Sequence, residues 1–167
     1  RNLRGNGDAI LDSLTLTTDG SIYIDGTVGG GGLTTYVITA GRGVIVTANS
    51  VVHTRQLAPG ADVATGQSTG NSGNITLQGL SILVDKAAHI FAHANNGFQS
   101  GDVTLHALAS GTASRFVAFI PIYYQSIAAS MTFSCDSQVT GRNITALTES
   151  QSTGTVDLHQ NLNFNLP

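Results

Sequence analysis

A six-residue pattern that returns at related intervals constrains this chain more than any other feature. It occurs at Gly20-Ser-Ile-Tyr-Ile-Asp25, Gly73-Asn-Ile-Thr-Leu-Gln78, Gly101-Asp-Val-Thr-Leu-His106 and Gly154-Thr-Val-Asp-Leu-His159. Successive side chains of a strand point to opposite faces, so Ile22, Ile24, Ile75, Leu77, Val103, Leu105, Val156 and Leu158 belong to a core face. Tyr23, Thr76, Thr104 and Asp157 then face solvent. Gly73 and Gly101 are 28 residues apart, and the 53-residue intervals from Gly20 to Gly73 and from Gly101 to Gly154 are close to two such periods. Intermediate copies are expected at Gly43-Val-Ile-Val-Thr-Ala48 and around Ser130-Met-Thr-Phe-Ser134.

One period holds three strand-like pieces, Asn74 to Leu77, Ser81 to Val84 and Ala88 to Ala92, before the pattern restarts at Asp102. Three short strands per repeat predict an all-β chain, a parallel right-handed β-helix of about six coils with roughly 26–28 residues in each. The whole of 1–167 reads as one such segment, part of a longer rod or a stacking subunit. An antiparallel sandwich also places strands about 8 to 12 residues apart, but it has no reason to repeat side-chain positions at this longer period. Residues 56–72 contain Pro59-Gly60, Gly66 and Gly70 with little apolar alternation, and read as a loop projecting from the coil. Gly29 to Gly32 reads as a turn; the Lys and following helix of a phosphate-binding loop are missing.

Composition narrows the function. Charged residues make up 10% of the chain, against roughly 25% in ordinary soluble domains, so Ser, Thr, Asn, Gln and Gly must supply the polar surface. The net charge of −3, with arginines scattered along the chain, argues against a nucleic-acid partner. Lys86 and Glu149 are the sole residues of their kinds, which leaves little to form helices. Cys135 is alone, so no intrachain disulfide is expected. The longest apolar run, Phe116 to Tyr124, is too short to span a bilayer. The chain opens on Arg1 without a charged-then-apolar leader, which reads as a mature chain or an excised piece.

No catalytic constellation emerges, and no metal or cofactor is expected. Asp102 and Asp157 sit at different places in the hexapeptide, unlike the facing carboxylates of a glycosidase. Asp19, Asp25, Asp85 and Asp136 adjoin turns, where capping explains them. His89 and His93 share one strand face and with His106 could approach a metal, yet no further ligand is identifiable, and solvated surface histidines explain them better. Gly66-Gln-Ser-Thr-Gly70 spells a nucleophile elbow without the strand-to-helix setting that motif needs. The run Phe116-Val-Ala-Phe-Ile-Pro-Ile-Tyr-Tyr124 reads first as a strand buried on both faces. If exposed, it is an association patch with Tyr123 and Tyr124 as anchors.

At Thr54-Arg-Gln-Leu57, Asn71-Ser-Gly-Asn-Ile-Thr-Leu77, His89-Ile-Phe-Ala-His-Ala94 and Ser100-Gly-Asp-Val-Thr-Leu105 the chain resembles the repeats of very large bacterial adhesin-like exoproteins of the filamentous-haemagglutinin type. The likeness is best over residues 37–107. It implies a secreted β-helical rod at the bacterial surface, a non-catalytic structural or adhesive scaffold in a matrix or filament. The partners to expect are glycans or cell-surface proteins and further copies of the rod, end to end or side by side. Because polysaccharide lyases, glycosidases and tailspikes use the same fold, a polysaccharide-binding or polysaccharide-degrading β-helix is the alternative.

Overall fold

The computed structural model describes the backbone of residues 3–4, 9–10, 13–29, 35–108, 112–117, 120–126, 129–149, 155–158 and 163–165, with side chains over 13–29, 35–108 and 129–148. Among these residues there is no helix. The strands are β1 (Leu3–Arg4), β2 (Ala9–Ile10), β3 (Leu14–Thr18), β4 (Ile22–Asp25), β5 (Thr27–Gly29), β6 (Tyr36–Ala40), β7 (Gly43–Val46), β8 (Val51–His53), β9 (Ile75–Gly79), β10 (Ser81–Val84), β11 (His89–Phe91), β12 (Val103–Leu108), β13 (Thr112–Val117), β14 (Ile120–Ser126), β15 (Ser130–Phe133), β16 (Gln138–Thr140), β17 (Ile144–Glu149), β18 (Thr155–Leu158) and β19 (Asn163–Asn165). The chain visits three sheets in rotation. The first is ordered β1-β4-β7-β10-β15-β18, the second β2-β5-β8-β11-β16-β19 and the third β3-β6-β9-β12-β17. Every pairing within these three sheets is parallel, as a β-helix or related solenoid requires and a sandwich does not.

Alternation builds the core. In the first sheet Ile22, Val44, Ile82 and Met131 stack in register, each at most 4% exposed. Tyr36, Ile75 and Val103 form a matching column in the third sheet, and Val28, Val52, Ile90 and Val139 in the second. Burying one such side chain contributes about 1.5–3 kcal/mol, and the columns run from rung to rung without a break. One buried atom stands out: the Tyr36 hydroxyl lies in this core without a hydrogen-bond partner, and burial pushes its pKa up.

Between the first and second sheets the chain turns by one device. Asn49 (φ 60°), Ala87 (φ 53°) and Asp136 (φ 60°) stack in register at this corner in the left-handed region, and Gly26 (φ 90°), opposite Ser50, makes the same corner in a single residue. Each of the three stacked corners is closed across the turn, from Ser50 N to Thr47 O (3.0 Å), Ala88 N to Asp85 O (3.0 Å) and Ser137 N to Ser134 O (3.2 Å). Corners also bond to one another along the stack, from Asn49 N to Lys86 O and from Ala87 N to Cys135 O.

The structure redraws the repeat. The strands of one period lie where alternation places them, at β9, β10 and β11, and Ile75 and Leu77 do pair with Val103 and Leu105. However, the Gly20 and Gly154 hexapeptides feed the first sheet, whereas those at Gly73 and Gly101 feed the third. The 53-residue intervals therefore do not join stacked positions. The stacked neighbours of β4 and β18 are β7 and β15, and Val44 pairs with Ile22, so Gly43 falls one residue out of step with Gly20. Spacing between stacked residues is uneven: 22 residues from Ile22 to Val44, 49 from Ile82 to Met131 and 25 from Met131 to Val156. Insertions between strands lengthen some passes. A glycine leading into an alternating strand marks entry from a corner, and it does so for more than one sheet.

The apolar run is not one strand. Phe116 and Val117 end β13 while Ile120 to Tyr124 lie in β14, and the two form an antiparallel hairpin with Phe116 opposite Pro121, paired with neither neighbour sheet. Tyr123 and Tyr124 belong to β14; their side chains, and Ala118 and Phe119, lie outside the described residues. So do Gly30 to Gly32, and in the terminal stretch 161–167 only Asn163–Asn165 is described, as a strand.

Candidate functional site

A grouping of polar and aromatic side chains lies along the second sheet, where it hands over to the third. In β8, β11 and β16 the middle residue points inward, so His53, His89, Phe91 and Thr140 flank the core columns. Register puts Phe91 between His53 and Thr140. The Phe91 ring stacks on His89 (centroids 5.1 Å apart, 9° between planes) and meets His93 edge-on (5.4 Å, 82°). The His53 imidazole lies over Gly29, where any Cβ would overlap it. Nδ1 of His93 is 2.6 Å from Oγ1 of Thr140.

Below this group, segment 56–72 leaves the coil without a strand of its own and folds around Arg55. Arg55 is 1% exposed. Its guanidinium donates to the carbonyls of Val63 and Gly66, while its Nε is buried without an acceptor. Thr54 Oγ1 donates to Gly73 O across the base of the loop (2.7 Å). Asp62 accepts from the amides of Ala64 and Thr65 and from the Thr65 hydroxyl, bonds that hold its carboxyl below the usual range. The loop lies on the 92–101 segment of the next pass. Ser68 N donates to Asn95 Oδ1, Asn95 N returns a bond to Ser68 Oγ, and Ser72 bonds Gln99 O through N and His93 O through Oγ.

The electrostatics are those of a buried scaffold. Burial, and secondarily the Arg55 charge, pushes His93 down to about 4, and burial lowers His89 as well. Both imidazoles are therefore neutral at neutral pH. Burial pulls Arg55 below its ordinary value, and Asp62 opposes that effect.

The reading of His89 and His93 as solvated surface histidines gives way to partial burial, which lowers the pKa of both. His89 and His93 sit against different sides of Phe91, and His106 lies in β12 of the third sheet, so the three do not converge. Among the described residues no group of three or more His, Cys, Asp or Glu is placed to hold a metal. Ser68, in the elbow-like spelling, is 1% exposed and locked to Asn95. Asp102 accepts two bonds from Arg142 (3.0 and 2.7 Å) and one from Asn143, which hold its carboxyl low; the Asp157 side chain lies outside the described residues. Asp25 accepts from Thr47 Oγ1, and Asp85 from the amide of Lys86.

Sequence reasoning missed Arg55, counting it among scattered arginines. The available signal was its position, directly before the Pro/Gly-bearing loop. No helix among the described residues is long and apolar enough to cross a membrane. Searches of family models, curated proteins and solved structures found no match to this chain.

Proposed function

We propose that this chain is a section of a non-catalytic extracellular scaffold, an adhesin-like rod at a bacterial surface or in a matrix, wound as a right-handed β-helix of about six coils. The observation that carries the reading is the contrast between inward and outward columns. Along the first sheet the inward column keeps its chemistry through Ile22, Val44, Ile82 and Met131, while the outward one runs Tyr23, Ile45, Leu83 and Thr132. A fold held constant under changing outward chemistry suits reach and contact more than a reaction. Self-association, end to end or through the β13–β14 hairpin, and contact with cell-surface glycans are the partnerships this reading favours.

A polysaccharide-binding or polysaccharide-degrading β-helix is the second reading; a groove lined by carboxylates would establish it, and the outward column of the third sheet, Thr15, Val37, Thr76, Thr104 and Thr145, carries none. Incubating the purified chain with neutral and acidic polysaccharides separates the two. The scaffold reading expects at most retention on a glycan, with no release of reducing ends or unsaturated products; such release would sink it and favour the second. Sedimentation of a Tyr123→Ser, Tyr124→Ser variant tests lateral association, and unchanged assembly removes that role for the hairpin.

A further inference from the structure

We propose that Asn96 is a site of spontaneous deamidation, at which the Asn96-Gly97 loop tip cyclises and opens to aspartate or isoaspartate. The backbone nitrogen of Gly97 attacks Cγ of Asn96, the Cγ–Nδ2 bond breaks, and Nδ2 leaves as ammonia. Water then opens the five-membered imide at either carbonyl, so the net change replaces an amide by an acid and needs no oxidant or reductant. Asn96 and Gly97 are both exposed, with φ of 60° and 82°, and nothing lies within 4 Å of a Cβ built on Gly97. Neither the Asn96 side chain nor the Gly97 amide has a hydrogen bond among the described residues, and a single 3.3 Å bond from Phe98 N to Asn95 O closes the turn. Glycine adds no side chain to hinder ring closure and permits the backbone rotation that attack requires.

The other asparagines with described side chains are held back by contacts that Asn96 lacks. The amides following Asn49, Asn71 and Asn74 are committed to Thr47 O, Gln99 O and Asp102 O. The Asn95 and Asn143 side chains are themselves bonded, to Ser68 and Gly66 and to Asp102. Conversion at Asn96 places a new negative charge between Asn95 and Gln99, two residues that fasten this loop to segment 56–72.

The test is peptide mapping by mass spectrometry of the native chain aged in mildly alkaline buffer, with isoaspartate read by enzymatic methyl transfer. The amide-to-acid mass gain should accumulate on the fragment holding Asn96, ahead of Asn49, Asn71 and Asn74, and disappear in N96Q, whose side chain closes the corresponding ring far more slowly. An Asn96 fragment that stays unchanged, or conversion spread evenly over the four asparagines, overturns the proposal. The site-by-site comparison needs only the wild-type chain, so a poorly folding variant does not blunt it.

Discussion

The corner between the first and second sheets and the corner between the second and third solve the same problem differently. The first turns on one left-handed residue at every described rung, and Gly26, Asn49, Ala87 and Asp136 all serve there. The second gives way to the 56–72 excursion, organised by the side chain of Arg55 and stacked on the next pass through Asn95 and Gln99. Where backbone geometry and inter-rung amide bonds define a turn, several residue types are tolerated. Where one side chain gathers the carbonyls of a loop, identity matters. Mutational sensitivity should therefore concentrate at the second-to-third corner.

Arg55→Ala is the strongest way to break that contrast. It removes charge-assisted bonds to the Val63 and Gly66 carbonyls and empties a buried volume, for an expected loss of about 2–4 kcal/mol in chemical denaturation. Hydrogen exchange should locate the effect, with the amides of Gly66, Thr69 and Ser72 losing protection before those of β9 and β10. A uniform loss over all three sheets would show that the loop is not a separable unit.

Acid probes the same corner more gently. His93 is about 4 in the folded chain and near 6.5 when unfolded, so between these values the unfolded state binds more protons. Stability from this group is complete above about pH 6.5, declines as pH falls through the window and levels off below about pH 4. The decline should be on the order of 2 kcal/mol, less than the full shift implies because the ring retains some contact with water. Urea midpoints across that range should flatten in His93→Gln; a slope unchanged in that variant would assign the acid sensitivity elsewhere.

Legibility in the sequence follows the same division. The strands between Asn74 and Phe91 were readable because period-two alternation is a local pattern that burial enforces. Assignment of hexapeptides to sheets was not, since a corner glycine followed by an alternating strand looks alike on entry to the first or third sheet. The repeating left-handed corner was hidden by its own tolerance, with four different residues at positive φ. The burial of Arg55 depends on carbonyls eight and eleven residues away, which composition does not report. In the Phe116 to Tyr124 run, apolarity masked a chain reversal that Pro121, the lone breaker there, does not itself mark.

The mildest prediction concerns the tolerant corner and asks whether its tolerance is complete. Ala87 is the only described corner residue of the four with neither a missing Cβ nor a short polar side chain, and its φ of 53° crowds Cβ against the backbone. Ala87→Gly relieves that crowding but loosens the unfolded chain, leaving an expected gain of about 0.5–1 kcal/mol. It should appear as a higher urea midpoint at an unchanged slope. Ala87→Val should instead lose about 1–2 kcal/mol, because a β-branched side chain fits the left-handed region poorly. If both variants matched the wild type, the amide bonds from Ala87 N to Cys135 O and from Ala88 N to Asp85 O would be holding the corner whatever residue occupies it. Tolerance there would then belong to the stack of rungs, while at Arg55 it is withheld by a single side chain.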